Sequence, residues 1–94
     1  MTKAAHILVT GQVQGVGYRQ ACRSTARKLG LVGWVRNLPD GRVEAFAQGA
    51  SDDVDRLLDW LWVGPSGARV VGVESDVVAG DRTITDFFLQ PARK

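Results

Sequence analysis
The chain has 94 residues, 45% hydrophobic and 23% charged, with twelve Lys and Arg against ten Asp and Glu for a net charge of +2. That length holds one small domain with a two-layer core, expected over residues 1–94, and the apolar share excludes a disordered chain, which could not offset its ordering entropy. A single cysteine, Cys22, and a single histidine, His6, exclude a disulfide framework and a Cys-rich zinc site. No apolar run is long enough for a bilayer span or a signal peptide, so the expectation is a cytoplasmic monomer without metal or cofactor.

The apolar, β-branched run from His6 to Thr10 predicts a first strand. Residues 11–17 hold three glycines and predict a loop. From Tyr18 to Leu29 there is no Gly or Pro, and Cys22, Ala26 and Leu29 fall at i, i+4 and i+7, which predicts an amphipathic helix closed by Gly30. Leu31 to Asn37 predicts a strand, Pro39-Asp-Gly41 a tight turn, and Arg42 to Ala47 the returning strand of a hairpin. Ser51 opens a second helix, where its hydroxyl is expected to cap a free N–H and Asp52, Asp53 and Asp55 to favour the positive dipole end. Val54, Leu57, Leu58 and Leu61 complete an apolar stripe, which Gly64-Pro-Ser-Gly67 ends. Ala68 to Val78 predicts a fourth strand, and Thr83 to Gln90 a short fifth at the sheet edge.

Each helix has one apolar stripe to bury, and both crossovers suit a strand–helix–strand return. The order implies an α+β, ferredoxin-like two-layer sandwich, βαββαβ with a short extra edge strand, in which both helices lie on one face of an antiparallel or mixed sheet.

The segment Gly11-Gln-Val-Gln-Gly-Val-Gly-Tyr-Arg19 carries the chemistry. The first N–H groups of a helix lack partners and sit at its positive end. Gly15 and Gly17 let main chain approach an anion, and Arg19 adds a planar fork of donors. The loop lacks the Gly-Lys-Ser/Thr of a P-loop, and Gln20 breaks the dinucleotide-binding spacing. A phosphate-sized anion site and a turn needing glycine for geometry, with Arg19 a surface charge, both fit this spacing. Residues 1–49 hold seven basic and two acidic side chains, which suits an anionic partner. A solvated helix face is the plainer account of Arg23, Arg27 and Lys28. No block of five like charges occurs, so no nucleic-acid tail is indicated.

These residues resemble the signature of the acylphosphatase family. Gly33-Trp-Val-Arg-Asn-Leu-Pro-Asp-Gly-Arg-Val-Glu44 looks like its second signature, and Gly64-Pro-Ser-Gly-Ala-Arg-Val70 is similar to a third family segment. The resemblance spans roughly residues 6–89. It implies the ferredoxin-like fold and metal-independent hydrolysis of the carboxyl–phosphate anhydride of an acyl phosphate to a carboxylate and inorganic phosphate, the latter also expected to inhibit. It assigns the phosphoryl group to Arg19 and to the loop amides of residues 15–19, those of Gly15, Val16, Gly17 and Tyr18 forming the cradle. It assigns the attacking water to Asn37. The sequence departs from the family pattern at Gln12, where arginine is usual, at Gln20 and Ala21 after the arginine, and at Ser66.

Taken alone, Asn37 also reads as a strand-end turn residue. His6 reads as a sheet-face side chain, Cys22 as a small buried hydrophobe, and Asp52 and Asp53 as helix starters. Trp34, Trp60 and Trp62 read as packing residues, with Trp62 the most exposed, although such aromatics stack bases in RNA-binding sandwiches. Two other functions fit the fold: a non-catalytic module binding phosphate or carbamoyl phosphate, and an RNA-binding domain. The second lacks its aromatic signature on the first strand, and the expected partners are a small acyl phosphate, no nucleic acid and no membrane.

Overall fold
The structure, a computed structural model, describes residues 1–92. The last two positions of the expected 1–94 domain lie outside the described residues. Seven elements follow in the order β1 (Thr2–Gln12), α1 (Tyr18–Lys28), β2 (Val32–Asn37), β3 (Val43–Ala50), α2 (Ser51–Val63), β4 (Arg69–Val78) and β5 (Phe87–Leu89). The strands form one sheet in the order β4-β1-β3-β2-β5. The pairs β1–β3, β1–β4 and β2–β3 are antiparallel, and β2–β5 is parallel, so the sheet is mixed.

Alternation along the strands decides which face is covered. Ala5, Ile7 and Val9 of β1, Val35 of β2, and Val43, Ala45 and Ala47 of β3 point to one side and are buried. On that side α2 packs over β1, β3 and β4, and α1 over β2 and β5. The expected stripe of α2 is confirmed by Val54, Leu57 and Leu61, each fully buried and each worth roughly 1.5–3 kcal/mol of transfer from water. Helix α1 contributes Tyr18, Cys22 and Ala26. Its end is a Schellman motif: Gly30 N–H donates to the Arg27 carbonyl and Leu31 N–H to that of Ala26. The architecture is the expected ferredoxin-like sandwich.

Three local expectations change. β1 is eleven residues long, because Thr2 to Ala5 pair with Ala47 to Ala50 of β3 on one side and Ala4 and Ala5 with Val77 and Val78 of β4 on the other. A register shift at Thr10/Gly11 lets it run on to Gln12, inside the expected loop. β5 shrinks to three residues. The stretch before it is held as a turn by Asp81, which accepts from both the N–H and the hydroxyl of Thr83, and by Gln48, whose amide side chain grips the main chain of Asp81. Ser51 does not cap α2 with its hydroxyl. Ala50 occupies the N-cap, and the Ser51 N–H donates to the Met1 carbonyl, tying the chain start to the helix.

Candidate active site
The site lies where the covered face meets the end of the sheet from which α1 starts. β1 ends there at Gln12, β2 at Asn37, and β3 starts there at Val43. Val43 is paired with both Val9 and Asn37, so Asn37 shares the helix-covered face with Val9 and Val35.

Between β1 and α1 the chain turns sharply. Gly15 has φ +75° and Gly17 φ +77°, while Val16 between them has negative φ. Such alternation turns successive N–H groups to one side, and Gly17 is the left-handed N-cap of α1 with no side-chain cap. No atom lies within 4 Å of where a Cβ would stand on Gly15 or Gly17. Ala21 is the first helical residue whose N–H finds a partner across the cap, the Gly17 carbonyl at 3.0 Å. The N–H groups at the helix start before it are left to water or a ligand.

Residues 13–15 and 17–20 line a cavity of about 250 Å³. Arg19, half-buried at its rim, has no ion-pair partner among the described residues. The arrangement combines an aligned helix start, free main-chain donors and an uncompensated guanidinium, which together suit a phosphoryl group. Val16 does not line the cavity. Its side chain packs against the core, so only its amide could serve the site. Asn37 lies outside the lining too, on the neighbouring strand end. Its Oδ1 is buried with no hydrogen-bond partner among the described residues. A buried acceptor without a donor costs about 1–3 kcal/mol, which is retained where a function uses the atom.

Two contacts fix this loop. Gln14 Nε2 donates to the Leu38 carbonyl at 2.9 Å and to the Arg42 carbonyl at 3.0 Å, joining the loop to the β2–β3 turn. Tyr18, buried in the core, donates its hydroxyl to the Leu61 carbonyl at 2.7 Å and packs on Trp60 with ring centroids 5.7 Å apart. Desolvation, with a smaller contribution from Cys22, pushes the Tyr18 phenol up, which keeps it a donor. Gly64 leaves room for this ring, since a Cβ there would stand 2.8 Å from Tyr18 Cε2. Gln12, which removes a cation expected near the loop, pairs across the sheet with Arg69, an exposed cation without an ion-pair partner among the described residues.

Other candidates fall away from the site. Cys22 is fully buried, and burial pushes its thiol up to about 12, far from nucleophilic use at neutral pH. His6 sits on the uncovered face with Nε2 2.7 Å from Glu44 Oε2. Glu44 also accepts from Arg36, so three strands share one buried carboxylate that sequence spacing did not connect. Trp62 is 52% exposed, as expected. A larger cavity of about 510 Å³ lies at the opposite end of the sheet. Its one cation, Lys3, is already paired with Asp55, and no helical residue lines it, so it offers a phosphoryl group neither a free cation nor a helix start. Among the described residues no three His, Cys, Asp or Glu are grouped to hold a metal ion, and no helix is long and apolar enough to cross a membrane.

Comparison with known proteins bears on this geometry. The family model described as Acylphosphatase matches residues 5–89. An acylphosphatase of Methylococcus capsulatus is 51% identical over 85 residues, covering 90% of this chain and 92% of that protein. The solved acylphosphatase of Coxiella burnetii superposes with a TM-score of 0.91 at 38% identity, covering 95% of this chain and 93% of that one. That of Bacillus subtilis superposes with a TM-score of 0.90 at 30% identity, covering 96% and 99%.

Proposed function
The chain belongs to the acylphosphatase family and is an acyl-phosphate hydrolase, and on that premise we propose that the loop before α1 holds the phosphoryl group while Asn37 steers the attacking water. The observation that carries this is the cavity at the start of α1, lined by Arg19 and by loop residues on either side of Val16. In this reading the amides of Gly15, Val16, Gly17 and Tyr18 and the Arg19 guanidinium bind the phosphoryl oxygens before the reaction begins. They therefore meet the equatorial charge of the transition state without reorganisation.

An acyl phosphate already carries a stable leaving group, so its hydrolysis needs no strong general acid. Water attacks phosphorus in line, the phosphorus–oxygen bond to the acyl group breaks, and its electron pair leaves with the carboxylate. The water proton passes to a phosphoryl oxygen, giving inorganic phosphate. The Asn37 carboxamide has an acceptor for a water proton and an N–H₂ donor, and no described group of the fold competes for its buried Oδ1. No step calls for a metal ion. The substrate is a small acyl phosphate, the product phosphate competes for the same cradle, and the single domain works as a cytoplasmic monomer without nucleic acid.

Steady-state hydrolysis of benzoyl phosphate with EDTA present tests this reading. The wild type should turn over at an unchanged rate in EDTA. Asn37→Ala should fold and lose on the order of 10²–10³ in kcat, the scale set by removal of one positioned polar group. Loss of wild-type activity in EDTA, or a variant with wild-type kcat, refutes it.

A further inference from the structure
Gln14 belongs to the anion loop by its main chain and to the β2–β3 turn by its side chain. Its Nε2 donates both hydrogens, one to the Leu38 carbonyl at 2.9 Å and one to the Arg42 carbonyl at 3.0 Å. Those two carbonyls are not arbitrary points on the turn. Leu38 directly follows Asn37, and Arg42 directly precedes Val43, the residue paired with Asn37 across the hairpin. Each carbonyl already accepts one main-chain bond of the turn: Leu38 from the Gly41 N–H at 3.2 Å and Arg42 from the Leu38 N–H at 2.9 Å. The carboxamide therefore adds a second donor to both sides of the Leu38–Arg42 pair, which adjoins the rung that carries Asn37. Val13 on one side is fully buried, and Gly15 on the other holds a left-handed φ, so the Gln14 main chain is fixed within the loop.

We propose that Gln14 is a positioning residue that sets the placement of Asn37 relative to the phosphoryl cradle. The inference rests on the functional reading of Asn37 and Arg19 given above. Gln14 does not touch the reacting atoms in this account. It joins the element that holds the phosphorus to the element that holds the water, and a misplacement of 1 Å between two such groups is enough to cost about 10²-fold in rate.

Gln14→Met keeps the length of the side chain and removes both donors. In hydrolysis of benzoyl phosphate it should lower kcat roughly 10–100-fold, while the inhibition constant of inorganic phosphate stays within about two-fold, because the cradle is intact. In an Asn37→Ala background the same substitution should change kcat by less than about two-fold, because a group acting through Asn37 has nothing left to position. Gln14→Glu gives an independent readout. The ionised carboxylate cannot donate, whereas the protonated acid regains one donor. Its kcat relative to wild type should therefore rise as pH is lowered through the carboxyl titration.

Wild-type kcat in folded Gln14→Met, an equal loss in both backgrounds, or a phosphate inhibition constant that worsens in step with kcat overturns the proposal. Should Gln14→Met not fold, a pH-independent ratio for Gln14→Glu overturns it. Wild-type turnover in Asn37→Ala alone refutes the functional reading first, and this proposal falls with it.

Discussion
The Tyr18 hydroxyl supplies the Leu61 carbonyl with the hydrogen bond that the helix itself cannot make. An α-helical carbonyl at position 61 would accept from residue 65, and residue 65 is proline, which has no N–H. The phenol stands in at 2.7 Å. One buried contact thus closes the end of α2 and anchors the first residue of α1, directly behind the anion loop. Tyr18→Phe should cost about 1–3 kcal/mol, since it strands a buried acceptor. Chemical denaturation would measure that loss, with KM changing little because the Tyr18 amide remains. Wild-type stability in the variant would mean that the Leu61 carbonyl has another donor.

Gly17 makes a separate case. Its backbone, at φ +77° and ψ 16°, is the left-handed conformation that costs an L residue about 1–2 kcal/mol, yet a Cβ there meets no neighbour. Gly17→Ala is therefore expected to lower Tm by roughly 4–8 °C per kcal/mol and to raise KM, through conformation rather than collision. Gly17→Asn should recover most of the stability, because asparagine enters this region more readily. Equal melting of the alanine and glycine proteins would contradict the strain argument.

The Glu44 carboxylate links stability to pH. Burial pushes its pKa up, but hydrogen bonds from His6 and Arg36 outweigh burial and hold the carboxyl below its ordinary value of 4.5. The ionised carboxylate can only accept, so His6 Nε2 carries the proton in that contact. A lowered folded pKa gives stability that is present above the unfolded value and is lost as pH falls through the folded one. Below about pH 4.5 the protein should weaken, and Glu44→Gln should show a shallower acid dependence. At pH 7 that substitution removes charged hydrogen bonds worth about 1.5–3 kcal/mol each. Stability curves of both proteins between pH 3 and 7 check this, and identical acid slopes would contradict it.

The sequence made the element order, the covered face and the glycine loop legible, because all three are written in local period and in Gly and Pro placement. The stripe at Val54, Leu57 and Leu61 needed no partner to be seen. The full length of β1 did not show, since Lys3, Ala4 and Ala5 are weak strand formers and become strand only by pairing with β3 and β4. The Ser51 expectation failed because Ala50 holds the N-cap and Ser51 is already the first helical residue, its N–H tied to the distant Met1 carbonyl. The assigned roles of Arg19 and Asn37 came with the family resemblance, while spacing alone left both open. The Gln14 strap and the His6–Glu44–Arg36 cluster went unseen for the same reason. Their partners lie 8 to 38 residues apart and meet only when strands pair.

The division of labour between Arg19 and Asn37 is tested most directly by measuring phosphate affinity and turnover on the same two variants. Titration with inorganic phosphate should give Asn37→Ala a dissociation constant within about two-fold of wild type, alongside a kcat reduced on the order of 10²–10³. Arg19→Ala should bind phosphate far more weakly, raising KM and lowering kcat together, because the guanidinium serves both bound and transition states. Undiminished phosphate binding by Arg19→Ala, or loss of phosphate binding by Asn37→Ala in proportion to its lost turnover, would contradict the account.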